Sequence, residues 1–74
     1  MDLATYRKHR RLSQRECARE LGLTSKSYIS QLETGKVRFP VKLALRIQHW
    51  SGGAVPAVEI CPDVREFIAA EVRP

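Results

Sequence analysis

Residues 12–36 read LSQRECARELGLTSKSYISQLETGK, and Ser13 marks the first helix start within them. Glu16 follows three residues later, which is the spacing of a capping box, where each side chain accepts a hydrogen bond from the other residue's backbone N–H. The helix ends at about Leu21, because Gly22 can adopt the left-handed conformation that stops a helix. The sequence therefore predicts a short amphipathic helix over residues 14–21, with an apolar stripe of Cys17, Ala18 and Leu21.

A second helix start follows directly after the glycine. Thr24 or Ser25 is a suitable N-cap, so we expect a helix over about residues 26–33. Ile29 and Leu32 form its apolar face. Its other face is polar and consists of Lys26, Ser27, Ser30 and Gln31.

Two short helices joined by a glycine-containing turn match a helix-turn-helix. Ala18 must be small because the two helices cross closely there, and Gly22 sets the sharp angle between them. Ile29 and Leu32 hold the second helix on the core, so that its N-terminal half projects outwards. A projecting helix of this kind can enter the major groove of DNA and contact base edges.

The chain resembles the Cro/C1-type (XRE-like) helix-turn-helix regulators of phage and bacteria. The resemblance is carried by LSQRECARELGL at residues 12–23 and by SYISQLETGK at residues 27–36, and it extends over about residues 3–53. Residues 43–47, LALRI, are similar to the fourth helix of small Cro-like regulators. The resemblance implies an all-α fold, namely a small four- to five-helix bundle of the lambda-repressor-like kind, and double-stranded DNA as the partner.

The turn departs from the family pattern by one residue, since residues 23–28 separate Gly22 from Ile29 where the family usually has five residues. Alignment on Gly22 makes Ser25, Lys26 and Ser30 the base-contacting residues. Alignment on Leu32 and Glu33 assigns the base contacts to Lys26, Ser27 and Gln31. We favour the second alignment, because Ile29 and Leu32 must face the core and so fix the rotation of the helix.

Side-chain chemistry then suggests individual roles. Lys26 can donate to guanine O6 or N7, and Gln31 can pair with adenine through two hydrogen bonds. Ser27 and Ser30 can bond to base edges or to phosphate.

Three further residues are expected at the DNA backbone. Gln14 resembles the phosphate-contacting glutamine of the family, and it stands at the N-terminus of its helix, where backbone amides also favour a phosphate. Lys36 and Arg38 follow the third helix and suit the flanking phosphates. Such contacts position a protein without reading sequence.

The charge distribution is also consistent with a polyanionic partner. A chain of 74 residues has room for one small domain, which excludes most enzyme architectures. Residues 1–50 carry eleven basic and four acidic residues and hence +7, whereas residues 51–74 carry two and four and hence −2. The basic part therefore favours a nucleic-acid partner.

No pattern of a metal, cofactor or catalytic site is visible. Cys17 and Cys61 lie far apart, as do His9 and His49, and no nucleophile–base pair or phosphate-binding glycine loop is present. We expect two reduced cysteines and no enzymatic activity, metal or cofactor. Residues 1–8 lack the apolar region typical of a signal peptide, and no apolar run approaches the roughly 20 residues that a membrane helix needs. We therefore expect a soluble cytoplasmic protein associated with the nucleoid.

Further helices are expected on either side of the motif. A first helix should cover residues 2–10 with Asp2 as its N-cap, and a fourth should run from Pro40 to about Trp50. Residues 54–61 have a mixed pattern, which predicts either one short helical turn or an edge strand. Another helix should start near Pro62, with Asp63 as its cap.

These patterns predict a DNA-binding domain over residues 1–53 and a C-terminal extension over residues 54–74. The extension carries an apolar stripe of Val64, Phe67, Ile68 and Val72. The stripe either folds back on Trp50 and Leu45 or, as we favour, forms a two-fold dimer interface through Val64, Phe67 and Ile68.

The leading functional hypothesis is a sequence-specific DNA-binding regulator that acts as a homodimeric repressor. A second is an antitoxin-like protein whose C-terminal segment binds a toxin or another protein. A third is a protein-interaction module without affinity for DNA.

Overall fold

In the computed structural model, which describes residues 1–71, the chain forms a small all-helical bundle. The described residues contain no strand, and their six helices are α1 (Leu3–His9), α2 (Gln14–Glu20), α3 (Lys26–Glu33), α4 (Val41–Trp50), α5 (Ala57–Ile60) and α6 (Val64–Glu71). The all-α fold class is thus confirmed. The number of helices exceeds the expected four to five because residues 54–71 form a single helical turn and then a separate helix. None of the described helices combines the length and the apolar character needed to cross a membrane.

The helix starts follow the capping signals of the sequence. Asp2 Oδ1 accepts a hydrogen bond from the Thr5 backbone N–H at 2.8 Å, which begins α1. At the start of α2, Ser13 Oγ accepts from the Glu16 N–H at 3.0 Å, and Glu16 Oε1 accepts from the Ser13 N–H at 2.9 Å. The capping box is therefore complete. The hydrogen bond from the Ser13 backbone N–H, together with the nearby Ser13 hydroxyl, holds the pKa of Glu16 below its usual value.

The turn after α2 has the predicted glycine geometry. Gly22 has a φ of +73°, and the Leu23 N–H donates to the Ala18 carbonyl at 2.8 Å. This bond satisfies a carbonyl that the end of α2 would otherwise leave without a partner. A Cβ added at Gly22 would meet the Arg46 guanidinium at 3.7 Å, an ordinary contact, so the backbone conformation itself is what requires glycine.

The main core fills the space enclosed by α1, α2, α3 and α4. Its buried residues are Leu3, Cys17, Ala18, Leu21, Ile29, Leu32, Leu43, Ile47 and Val55. Ala18 is only 3% exposed, as expected at a close crossing of two helices. On the outside, Trp50 Nε1 donates to Glu20 Oε1 at 2.9 Å, and the Arg10 guanidinium lies 5.4 Å from the centre of the Trp50 ring. This outer cluster joins the first, second and fourth helices.

A second core lies on the other side of α4, where α5 and α6 pack. Its buried residues are Ala44, Ala57, Cys61 and Val64. The sequence-based view that the whole apolar stripe of α6 is available for an interface is therefore wrong for Val64, which is 0% exposed. Phe67 and Ile68 follow Val64 by three and four residues. They fall at the edge of this core and remain exposed. Val72 lies outside the described residues.

Both cysteines are buried and free, as expected of small apolar residues. Burial raises the pKa of the Cys17 thiol to about 11, so the thiol stays protonated at neutral pH. The Cys61 Sγ donates to the Phe39 carbonyl at 3.2 Å, which fixes the loop before α4 against the second core.

Candidate nucleic-acid interface

The rotation of α3 decides which of its side chains face outwards. Ile29 and Leu32 are 0% and 3% exposed and pack in the main core. Lys26, Ser27 and Gln31 are exposed, whereas Ser30 is half-buried. The helix therefore presents the set of residues that follows from alignment on Leu32 and Glu33.

The start of α3 is fixed by Ser25. Its Oγ accepts a hydrogen bond from the Tyr28 backbone N–H at 3.4 Å, so Ser25 is the N-cap rather than a residue of the helical face. Its side chain is nevertheless exposed. Ser25 thus lies beside Lys26 at the end of the helix that points away from the core.

The C-terminal end of α3 is tied to both preceding helices by Glu33. Arg7 Nε and Nη2 donate to the two carboxylate oxygens of Glu33 at 2.7 and 3.1 Å, and Gln14 Nε2 donates to Glu33 Oε1 at 3.1 Å. Arg7 Nη1 also donates to the Leu12 carbonyl at 2.9 Å. The Arg7 and Glu33 side chains are only 12% and 8% exposed, so this two-pronged ion pair is largely screened from water.

The hydrogen bonds to Glu33 determine the direction in which its pKa shifts. Burial alone would raise the pKa of its carboxyl, but the hydrogen bonds from Arg7 and Gln14, together with the Arg7 charge, lower the pKa below its usual value. The hydrogen bond to Glu33 raises the pKa of the Arg7 guanidinium in turn. Both groups are therefore charged at neutral pH, and they hold α3 at a fixed angle to α1 and α2.

Gln14 has a structural contact that the sequence reasoning missed. Its side-chain nitrogen was expected at a DNA phosphate, but it donates to Glu33 within the chain. A glutamine side chain has two N–H groups, so the bond to Glu33 leaves one for a phosphate. Gln14 can thus connect the DNA backbone to the carboxylate that holds α3, and a phosphate role for it stays a prediction.

Basic residues flank the exposed face of α3 at both ends. Lys36 and Arg38 are exposed in the loop between α3 and α4, and the Lys36 N–H donates to the Gln31 carbonyl at 2.9 Å. Within residues 1–71, Lys26, Lys36 and Arg38 form no ion pair. Their charges are therefore available to an external anion.

A cleft of about 470 Å³ lies between α2 and the start of α3. Its apolar lining residues are Ala18 and Leu23, and its polar ones are Arg15, Arg19, Thr24, Ser25 and Lys26. The sequence pattern suggested no role for Arg15 and Arg19. The cleft brings them next to Ser25 and Lys26.

The sequence profile of the family described as "Helix-turn-helix domain" matches residues 2–48. The chain belongs to the helix-turn-helix domain family. This matched segment contains all the candidate DNA-contacting residues, whereas α5 and α6 lie beyond it. Comparisons with curated proteins and with solved structures gave no match. The helix-turn-helix domain is typical of DNA-binding regulators, and α3 is the second helix of the motif, which in DNA-bound members of this class lies in the major groove.

Proposed function

We propose that the protein is a sequence-specific, DNA-binding transcriptional regulator of the Cro/C1 (XRE-like) type, a repressor that binds its operator as a homodimer. The observation that carries the proposal is the orientation of α3 within a helix-turn-helix domain. Ile29 and Leu32 are buried, and this leaves Lys26, Ser27 and Gln31 exposed on the opposite side. We propose no catalytic activity, and a cytoplasmic location at the nucleoid.

The proposed contacts divide into base reading and positioning. Lys26 donates to guanine and Gln31 pairs with adenine, while Ser27 bonds to a base edge or a phosphate. The half-buried Ser30 and the N-cap Ser25 lie at the margin of this surface. Gln14, Lys36 and Arg38 contact the DNA backbone and fix the register of α3.

The homodimer follows from the small number of bases that one α3 can read. A single short helix gives too little discrimination against the competing sites of a genome. Two copies related by a two-fold axis double the contacts and present two recognition helices about 34 Å apart, one turn of DNA. A dimer bound across a promoter excludes the polymerase by occupancy, which is why we propose repression.

A second candidate function is that of an antitoxin-like protein. Val58, Phe67 and Ile68 are exposed apolar side chains on α5 and α6, outside the matched segment. An exposed apolar patch favours a protein partner, and residues 51–74 have a net charge of −2 that suits a basic one. In this case the same α3 surface binds DNA while the extension binds a toxin.

The decisive experiment is selection of bound sequences from a random duplex library by the purified chain, followed by affinity measurements with variants. Lys26→Ala and Gln31→Ala should each weaken binding to the selected site by roughly 1–3 kcal/mol, which is about 5- to 150-fold. Lys36→Ala should weaken binding to all sequences equally. Arg65→Ala, an exposed basic residue of α6, is the charge-matched control and should have little effect.

Three outcomes would contradict the proposal. If no sequence is enriched, the chain is not a sequence-specific regulator on its own. If both α3 variants bind as tightly as the wild type, α3 is not the reading helix. Two-fold symmetry in the enriched site supports the homodimer, and its absence contradicts it.

A further inference from the structure

The two arginines of α2 have no role in the function proposed so far. Arg15 and Arg19 are four residues apart, so they lie on the same side of the helix, one turn from each other. Both line the cleft between α2 and the start of α3, opposite Thr24, Ser25 and Lys26. Three cationic side chains and two hydroxyl groups therefore surround one concave surface.

The acidic residues of α2 do not neutralise this cleft. Glu16 is held by Ser13 in the capping box, and Glu20 accepts hydrogen bonds from Trp50 Nε1 at 2.9 Å and from Arg10 Nη1 at 3.3 Å. No carboxylate lines the cleft, and within the described residues neither arginine of α2 forms an ion pair. The cleft consequently has an uncompensated positive charge.

These side chains suit a phosphate group in particular. A guanidinium forms two parallel hydrogen bonds with a phosphate, and hydroxyl groups of Ser and Thr donate to the remaining oxygens. Lys26 belongs both to the cleft and to the exposed face of α3, so an anion in the cleft lies beside the base-reading residues. This continuity favours a phosphate of the DNA backbone over a free anion.

We propose that Arg15 and Arg19 together bind one phosphate of the DNA backbone in this cleft. The contact adds affinity for the DNA backbone beside Lys26 without reading sequence. The proposal rests on the DNA-binding function proposed above, and it adds two positioning residues to it.

The test uses the double variant Arg15→Gln/Arg19→Gln of the full chain, with Arg65→Gln as the control for loss of an exposed positive charge away from the cleft. Glutamine preserves the length of much of the side chain and a good helix propensity, so the melting temperature should be nearly unchanged. Neutralisation of one phosphate accounts for about 0.9 units of the slope of log K against log salt concentration. Because the proposed homodimer has one such cleft in each subunit, the double variant should lower the slope by about 1.8, while the ratio of affinities for selected and unrelated DNA stays the same.

A second measurement locates the phosphate. Uncharged methylphosphonate groups are introduced one at a time along the selected duplex. One position in each half-site should weaken binding of the wild type but not weaken binding of the double variant further. A scan without such a position overturns the proposal, as does an unchanged salt slope or a slope change near 3.6, which would mean that the two arginines of each subunit bind separate phosphates.

A titration with inorganic phosphate, monitored by NMR at the Arg15 and Arg19 resonances, tests the other source of the same chemistry. Two results together would assign the cleft to a free anion and overturn the proposal. The arginine resonances would saturate at submillimolar phosphate, and the double variant would give the same methylphosphonate scan as the wild type. If the wild type binds no DNA, the proposed function fails and this inference fails with it. If binding depends on Lys26 and Gln31 but not on the two arginines, only this inference fails.

Discussion

Arg11 is the residue whose backbone departs most from what its side chain prefers. Its φ is +57°, and among the described residues it is the one non-glycine with a positive φ. The Arg11 N–H donates to the Lys8 carbonyl and the Leu12 N–H to the Arg7 carbonyl, both at 3.0 Å. Arg11 therefore ends α1 in the way that Gly22 ends α2, but without the freedom of glycine.

Replacing Arg11 with glycine should stabilise the protein. The left-handed conformation costs an L-residue roughly 1–2 kcal/mol, and part of this is offset by the greater freedom of glycine in the unfolded chain. We expect a gain of about 0.5–1 kcal/mol, seen as a melting temperature several degrees higher in circular dichroism. Gln31→Gly, an exposed position inside α3, is the control and should lose about 1 kcal/mol. A lower melting temperature for Arg11→Gly would show that the left-handed backbone at Arg11 does not destabilise the protein.

These two positions show what local sequence can and cannot predict. Gly22 was predicted to end a helix because glycine occupies the left-handed conformation at low cost. Arg11 gives no such signal, since arginine is a good helix former. The contacts of Leu12 and of the Arg7 side chain, which form only in the folded chain, determine its conformation.

At the scale of the helices, α2 and α3 begin where the sequence predicted because their start signals are local. The Ser13–Glu16 capping box and the Ser25 cap involve residues three positions apart. The bond between Arg7 and Glu33 joins residues 26 positions apart, and sequence periodicity contains no information about such a pair. The orientation of α3 was therefore inferred from its apolar face, while the tie at its C-terminal end was missed.

Loss of the Glu33 charge should loosen α3 and change the response to acid. Because the pKa of Glu33 is lowered in the folded state, its stabilising effect is present above the usual value of 4.5 and is lost as the pH falls through the lower folded value. Glu33→Gln should reduce the free energy of unfolding by about 3 kcal/mol near pH 7, since it leaves Arg7 partly buried without its partner. The difference from the wild type should shrink as the pH falls below 4.5.

Urea unfolding at several pH values measures both effects. Glu66→Gln, on the exposed side of α6, is the control for removal of one negative charge. The double variant Arg7→Met/Glu33→Leu should recover much of the loss, because apolar residues can replace a buried ion pair. A Glu33→Gln variant as stable as the wild type at neutral pH would show that the ion pair does not hold α3.

At the scale of the whole molecule, residues 54–71 of the C-terminal extension pack against the helix-turn-helix domain. Val55 lies in the main core, and Cys61 and Val64 lie in the second core against α4. The sequence pattern assigns these residues to the C-terminal extension, because the apolar stripe of α6 does not show which part of it α4 covers. Truncation at residue 62 would remove Val64 from a core, so it is a poor test of dimerisation.

Substitution of Phe67 and Ile68 tests the proposed dimer without disturbing the second core. Their side chains are 36% and 45% exposed, and they flank the buried Val64 on α6. If they form the two-fold interface, Phe67→Ser/Ile68→Ser should convert a dimer at micromolar concentration to a monomer in sedimentation velocity experiments. The helix content should remain unchanged, since both side chains lie outside the core.

Operator affinity should fall, whereas weak binding to unrelated DNA should persist, because the charges around α3 are intact. Glu66→Ser, on the opposite side of the same helix, should remain dimeric. A wild type that is monomeric at micromolar concentration would contradict the dimer, and these side chains would then be the natural contact for a different protein.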